Sequence, residues 1–220
     1  MKREFIPLYG YGVASYLSYR SSTITFVLDT AHLHTLFVMS KHREQSLKNR
    51  ADILKKCYPL LATGSWDSIS VSDLEKAILK TRGALAYYFK NKKTLFKNIF
   101  DELFFPVFTL SVEEKETFAK SSVSEFYRRY KTPFERVRDD LKDNYGVKNP
   151  SQAIFNLFIQ GSKHYEQFTT SIHEIMRREQ EFISDIVGGR VNTLIDLNRI
   201  YVENIGNIFI ESMALQSQNS

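Results

Sequence analysis

Closely spaced helix boundaries between residues 64 and 92 constrain this chain more than any other feature. Ser70 is followed three positions later by Asp73, a pair that caps a helix because their side chains bind the free amides of its first turn. Thr81 can cap a second short helix, and Lys92 begins a third. Residues 79–80 then form the turn between the first two. The sequence therefore predicts three short helices in succession.

A longer helix is predicted just before this region, beginning at Ser46. Its apolar residues recur at spacings of three and four, which places them on one face. They are Leu47, Ala51, Leu54, Cys57, Tyr58 and Leu61. Gly64 stops this helix, and Trp66 and Ile69 follow in a loop, where their side chains are expected to fill a small core.

The order of these elements resembles the helix-turn-helix of the TetR family of bacterial repressors. The matched positions are Ile53, Gly64, Trp66, Val71, Leu74, Ala77, Gly83, Leu85, Phe89, Lys92 and Leu95. Two positions depart from the family pattern. Leu79 stands where the family usually has glycine, because the turn favours a left-handed backbone that costs a leucine roughly 1 kcal/mol or more unless the turn bends differently. Ala86 stands where a tyrosine is expected, and Tyr87 follows it.

The resemblance implies an all-α fold, with an N-terminal three-helix helix-turn-helix DNA-binding domain followed by a helical ligand-binding and dimerisation domain. We expect the DNA-binding domain at residues 41–97 and the effector-binding and dimerisation domain at 98–220. Residues 1–40 are expected to be a disordered or non-native extension. Met39 precedes Ser-Lys-His-Arg, a typical beginning for the family, so residues 1–38 are hypothesised to be dispensable.

Charge is distributed unevenly along the chain. Residues 1–40 carry three basic and two acidic side chains, residues 41–100 thirteen and five, and residues 101–220 fourteen and eighteen, which gives net charges of +1, +8 and −4. A basic head on a mildly acidic body suits an anionic polymer as partner for the head. Many basic segments are merely solvated surface, so charge alone does not identify DNA.

The resemblance also implies which side chains meet double-stranded DNA. Those expected to face it are Thr81, Arg82, Ala84, Tyr87 and Tyr88, with Ser70 and Lys92 on phosphates. Lys41 and Arg43 are expected to neutralise further phosphates. Arg82 is the best candidate for reading guanine in the major groove, and a contact to phosphate alone is an equally weighted alternative.

Aromatic residues are concentrated in the middle of the body, which has clear helix starts at Thr132-Pro133 and Asn149-Pro150. The resemblance implies a pocket for an apolar or aromatic effector among these helices. The predicted lining residues are Phe104, Phe108, Tyr127, Phe155, Phe158, Gln160, His164 and Tyr165. Aromatic residues at helical spacing are more often plain core than cavity lining, so a packed core is the alternative.

The last two helices carry long apolar stripes. We expect them to pair with their copies across a two-fold axis as a four-helix bundle, so that two heads read a palindromic operator. The predicted interface residues are Ile183, Ile186, Leu194, Leu197, Tyr201, Ile205 and Ile208. The alternative is an ordinary monomer core.

Several classes of site lack support in the sequence. Cys57 is the only cysteine, which excludes an internal disulfide framework and a multi-cysteine metal centre. The histidines form no metal signature, and there is no phosphate-binding glycine loop or nucleophile elbow. We therefore predict no catalytic residues, metal or cofactor, and no enzyme activity. The apolar run at residues 24–38 contains Asp29 and two histidines, which argues against a membrane span, and the start of the chain fits a signal peptide badly. The protein is expected to be cytoplasmic.

Three functions from different classes remain open. The leading hypothesis is a dimeric transcriptional repressor that a small ligand releases from its operator. The second is a ligand-independent DNA-binding protein of the same fold that acts through a protein partner. The third is an enzyme or membrane-surface protein whose basic segment meets an acidic partner.

Overall fold

The computed structural model describes residues 16–20, 23–27, 30–187 and 191–214, with side chains described for 41–186 and 199–213. The chain divides into two compact units, Met1–Arg50 and Ala51–Ser220. Helix α1, Thr30–Thr63, contains the boundary between them.

The first unit contains an antiparallel hairpin followed by the first turns of α1. Strand β1, Tyr16–Arg20, pairs with strand β2, Thr23–Val27, in a register that sets Tyr16 opposite Val27. The sequence pattern places the start of the helix at Ser46, whereas α1 begins at Thr30, because no glycine or proline interrupts residues 30–58. Part of the predicted extension thus has regular structure, and its dispensability stays a prediction.

The second unit is built from helices in the part that the structure describes. After α1 come α2 (Val71–Ile78), α3 (Arg82–Tyr88), α4 (Lys92–Ile99), a π-helical turn (Phe100–Phe104), α5 (Phe105–Phe108), α6 (Val112–Ala119), α7 (Val123–Arg129), α8 (Pro133–Asp143), α9 (Pro150–His164), α10 (Phe168–Val187) and α11 (Val191–Ala214). The all-α class expected from the sequence is confirmed for these residues.

Local capping signals account for several of these boundaries. α1 ends at Thr63, immediately before Gly64, as predicted. α8 begins with a capping box in which the Thr132 amide donates to the Glu135 carboxylate at 2.8 Å and the Glu135 amide donates to the Thr132 hydroxyl at 3.3 Å. Proline occupies the first position of both α8 and α9, where its missing N–H is not needed.

One large hydrophobic core runs through the second unit, from the end of α1 to α11. Phe100, Phe104 and Phe108 follow one another along the π-helical turn and α5, and all three are fully buried. A smaller cluster contains Phe118, Phe126 and Ile183. None of the helices whose residues are described is both long enough and apolar enough to cross a bilayer.

Candidate nucleic-acid interface

Helix α2 begins with the capping box that the sequence predicts. The Ser70 amide donates to Asp73 Oδ2 at 2.9 Å, and the Asp73 amide donates to Ser70 Oγ at 3.2 Å. The Ser70 hydroxyl also donates to Asp73 Oδ2, at 2.6 Å, and the two hydrogen bonds that this carboxylate accepts from the Ser70 side chain and backbone hold the pKa of Asp73 below its ordinary value. Leu74 and Ile78 are buried on the other side, so α2 is fixed at its start and along one face.

Leu79 ends α2 in the left-handed backbone region, with φ 53° and ψ 39°. It is the only non-glycine residue with positive φ in the part of the chain that the structure describes. Its side chain is 84% exposed. The turn therefore keeps the conformation that favours glycine, and the leucine bears the steric cost without burying its side chain.

Helix α3 presents one face to the core and another to solvent. Thr81 caps it by accepting a hydrogen bond from the Ala84 amide at 3.4 Å. Leu85 and Phe89 are buried, as their spacing predicts. Arg82 is exposed and makes no hydrogen bond or ion pair with the residues whose side chains are described. The first turn of α3 thus carries an unneutralised guanidinium into solvent.

The far end of α3 carries two tyrosines with different environments. Tyr87 is 77% exposed, whereas Tyr88 is half-buried against the core. Their rings lie 4.9 Å apart and nearly perpendicular. Ala86, which stands in place of the tyrosine of the resembled family, is exposed beside them. Tyr87 is therefore the more exposed of the two tyrosines.

Lys92 has a different position from the one expected of a phosphate ligand. Its ammonium donates to the carbonyl oxygens of Trp66 and Ile69 and lies 4.5 Å from the centre of the Trp66 ring. Burial lowers its pKa. The ammonium therefore binds the loop before α2. Lys90 and Lys93, on either side of Lys92 in the sequence, are exposed. Lys41 and Arg43, on α1 in the first unit, are also exposed.

Most of the predicted effector-binding residues are packed against other aromatic rings. Phe104 and Phe108 are fully buried and stacked, with ring centres 5.5 Å apart. Phe158 stacks on Phe134 at 5.3 Å, and Phe155 meets the Phe209 ring edge-on at 5.8 Å. Tyr127 packs in the smaller cluster. These five side chains therefore serve as core contacts in this structure.

The three remaining members of the predicted lining set, all polar, contact the loop before α2 or the π-helical turn instead. Gln160 accepts a hydrogen bond from the Trp66 amide at 3.0 Å. His164 Nε2 lies 3.3 Å from the Asp67 carboxylate. Tyr165 donates to Asp101 at 2.7 Å, and its burial raises its pKa.

A cleft of about 530 Å³ lies elsewhere, between the end of α1, the α8–α9 loop and the start of α9. Ala62, Tyr145, Lys148, Gln152 and Asn156 are among the residues that line it. None of the predicted effector-binding residues does. Sequence reasoning misses this cleft because its walls come from segments about 90 residues apart.

Three of the seven residues predicted for the dimer interface are not on the surface of the chain. Ile183, Tyr201 and Ile208 are buried within the chain itself. Ile183 lies in the smaller cluster and Ile208 in the large core, and the Tyr201 hydroxyl is hydrogen-bonded to that of Tyr130. Ile186 and Ile205 are half-buried, and the side chains of Leu194 and Leu197 lie outside those described. Helical periodicity finds an apolar stripe, but it does not show whether the same chain already covers it.

A different face of α11 is exposed and apolar. Val202 is 70% exposed, Phe209 53% and Met213 55%, and their positions place them along one line of the helix. Ile210 flanks this line and is also exposed. The spacing of 202, 209 and 213 is visible in the sequence, although the buried stripe beside it is the stronger signal.

The described residues show neither a cluster of metal ligands nor a readily ionised thiol. No group of three or more histidine, cysteine, aspartate or glutamate side chains is placed there to hold a metal ion. Burial raises the pKa of the Cys57 thiol to about 12, so the thiolate needed for reactivity is scarce at neutral pH.

The chain matches no protein-family model, no curated protein and no solved structure. The relation to the TetR family therefore rests only on the resemblance of the sequence positions from Ile53 to Leu95.

Proposed function

We propose that the chain is a cytoplasmic, homodimeric, sequence-specific DNA-binding transcriptional regulator. The observation that carries this proposal is the first turn of α3, where the capped helix end and the unpaired Arg82 face solvent while Leu85 and Phe89 anchor the opposite side. A helix held in this way can enter a major groove with its N-terminal side chains at the base edges.

Charge and exposure support phosphate contacts around this helix. Residues 41–100 carry a net charge of +8, and Lys90 and Lys93 are exposed just after α3. Such side chains would set overall affinity and its salt dependence, because each neutralised phosphate releases counterions. Arg82 is the candidate for base reading. The exposed Tyr87 hydroxyl would bind the phosphate that Ala86, which has no hydroxyl, cannot bind.

The exposed stripe of Val202, Phe209 and Met213 supports a homodimer through α11. Three large apolar side chains that share one line of a helix and face solvent are the kind of surface that a partner helix can cover. A two-fold axis through this stripe would bring two copies of α3 to one palindromic operator. The dimer thus uses the neighbouring face of α11 rather than the buried residues that the sequence pattern predicts.

The leading form of the proposal is a repressor that a small apolar or aromatic ligand releases from its operator. One observation favours the alternative, a ligand-independent regulator that acts through a protein partner: the aromatic side chains of the body pack against one another. A thermal-shift screen with apolar and aromatic compounds separates the two, since only the first predicts a stabilising ligand that also lowers operator affinity.

Selection of bound sequences from a random duplex pool, with the full chain, tests the proposal directly. We expect an enriched palindrome, and binding to it that weakens steeply with salt. Equal binding to the selected duplex and to a scrambled competitor would reject sequence-specific recognition. Binding that ignores salt altogether would reject the basic head as the contact surface.

A further inference from the structure

Asn156 of α9 caps the C-terminus of α1. Its Nδ2 group lies 3.0 Å from the Leu61 carbonyl oxygen, 3.1 Å from that of Ala62 and 2.8 Å from that of Gly64. The last carbonyls of a helix have no partner within the helix. The last turn of α1 also has no basic residue to bind them. A side chain more than 90 positions later in the sequence therefore serves as the cap.

Gln160 extends this contact one turn further along α9. Its Oε1 atom accepts the hydrogen bond from the Trp66 amide at 3.0 Å, and its amide group lies 3.4 Å from Asn156 Oδ1. Gln160 is buried, as is Trp66. Since a buried unpaired amide is costly, the pair fixes the backbone between α1 and α2.

Helix α4 holds the same loop through Lys92, whose ammonium binds the carbonyls of Trp66 and Ile69. The loop thus has its amide at Trp66 bound to α9 and its carbonyls bound to α4. Ser70, the cap of α2, follows directly. The direction of α2, and of α3 packed on it, therefore depends on these contacts.

Other side chains of α9 contact α11, the helix that carries the proposed dimer face. Phe155, adjacent to Asn156 in sequence, packs edge-on against Phe209 of α11 at 5.8 Å. Ser151 at the start of α9 donates to Glu211 of α11 at 2.6 Å. A single helix thus contacts both the loop that precedes α2 and the helix that carries the exposed apolar stripe.

We propose that Asn156 and Gln160 are positioning residues that fix the angle between the α2–α3 pair and the body, and so set the half-site spacing of the operator. This inference rests on the proposed function, because spacing has meaning only for a dimer with two α3 helices on DNA. The base preference within each half-site depends on α3 itself and is independent of these two residues.

The first test needs no DNA. Trp66 is the only tryptophan in the chain and is 4% exposed, so its fluorescence reports on this junction alone. In Asn156→Ala we expect a red shift of the emission, stronger quenching by acrylamide, and roughly tenfold faster hydrogen exchange at the Trp66 amide. Gln152→Ala is the matched control, because Gln152 is exposed one turn earlier on the same helix. Unchanged Trp66 fluorescence in Asn156→Ala would overturn the proposed link.

The second test measures spacing by selecting palindromes from a pool with variable half-site separation. Wild type and Gln152→Ala should enrich one spacing, whereas Asn156→Ala should accept several spacings with the same bases in each half-site. A uniform loss of binding with the spacing unchanged would mean a merely structural role and would overturn the proposal. If the alanine variant does not fold, Asn156→Ser, which keeps one hydroxyl donor on a shorter side chain, is used in its place and should likewise accept several spacings.

The two tests separate the two hypotheses. If wild type enriches no DNA, the proposed function fails and spacing control fails with it. The Trp66 measurements still decide whether α9 holds the loop before α2. If wild type enriches a palindrome and Asn156→Ala keeps its spacing, the proposed function stands and the positioning role fails.

Discussion

The guanidinium of Arg136 on α8 lies 2.7 Å from the carboxylate of Glu179 on α10, and both side chains are buried, at 9% and 2% exposure. Arg136 also donates to the Phe108 and Lys131 carbonyls, each at 2.7 Å. The Tyr130 hydroxyl donates to the same glutamate at 2.6 Å, and burial raises the pKa of that tyrosine. The network ties the end of α5, the start of α8 and α10 together.

Breaking this pair from one side should destabilise the fold strongly. Arg136→Met leaves a buried carboxylate without its counter-charge, which is expected to lower the free energy of unfolding by about 3–5 kcal/mol. Urea denaturation measures this free energy of unfolding. The double variant Arg136→Met with Glu179→Leu should recover much of this stability, because no buried charge is left. Equal destabilisation in the single and double variants would show that packing, not charge, matters at this position.

Replacing Leu79 by glycine should stabilise the protein. The left-handed backbone at this position strains leucine, and its exposed side chain gives up little burial when it is removed. We expect a gain of about 0.5–1 kcal/mol in the free energy of unfolding, since the relief of strain exceeds the added freedom of glycine in the unfolded chain. Leu79→Ala is the control, because alanine keeps the strain. A glycine variant no more stable than the alanine variant would contradict the expectation.

Local signals in the sequence account for much of the fold. The capping boxes at Ser70 and Thr132, the cap at Thr81 and the stop before Gly64 depend on neighbouring residues, and the structure has each of them. Their hydrogen bonds span only a few positions, so the pattern of residue types contains the needed information.

Contacts between distant segments are not predictable in this way. The Asn156 cap joins residues more than 90 positions apart, and no local pattern marks it. Helical periodicity also cannot tell which apolar side of α11 is buried. Tyr201 and Ile208 are buried while Phe209 is exposed, because packing against other helices decides which side is covered. The family resemblance implies Lys92 on phosphate, yet its ammonium binds two loop carbonyls.

Arg82→Ala should relax the sequence preference of DNA binding. If Arg82 reads a guanine, its removal should cost about 1–3 kcal/mol on the preferred duplex and much less on one altered at that base. Competition binding with both duplexes measures the difference. Lys90→Ala is the matched control, since a phosphate contact should weaken both duplexes alike and reduce the salt slope by about 1. If Arg82→Ala weakens binding to both duplexes equally, Arg82 contacts a DNA phosphate and does not read a base.

Phe209→Glu should dissociate the dimer without unfolding the chain. Phe209 is 53% exposed, so a charge there can reach solvent in the monomer, which loses only the edge-on contact with Phe155, whereas the same charge would be buried in a pair of α11 helices. Sedimentation analysis at micromolar concentration should show wild-type dimer and variant monomer, with matching helical content by circular dichroism. Asn207→Glu, an exposed polar position on the same helix, should leave the dimer in place. A dimeric Phe209→Glu would place the interface elsewhere.

Asp140→Asn should stabilise the protein at neutral pH and lose that advantage in acid. One Asp140 oxygen accepts from Asn144 at 2.7 Å, while the other is buried without a partner among the described residues. Burial raises the pKa of Asp140, so the folded state binds its proton more tightly than the unfolded state does. Folding stability therefore falls as pH rises from the unfolded pKa of about 4 through the raised folded pKa.

Asparagine keeps the carbonyl that accepts from Asn144 but has no charge to desolvate. We expect Asp140→Asn to unfold at higher urea than wild type at pH 7, by up to about 1 kcal/mol, with the difference shrinking below about pH 4. Asp185→Asn, at an exposed position on α10, is the control and should be nearly neutral at both pH values. An advantage for Asp140→Asn that grows in acid would reverse the sign and contradict a raised pKa, because a lowered pKa would make the wild-type carboxylate stabilising at neutral pH.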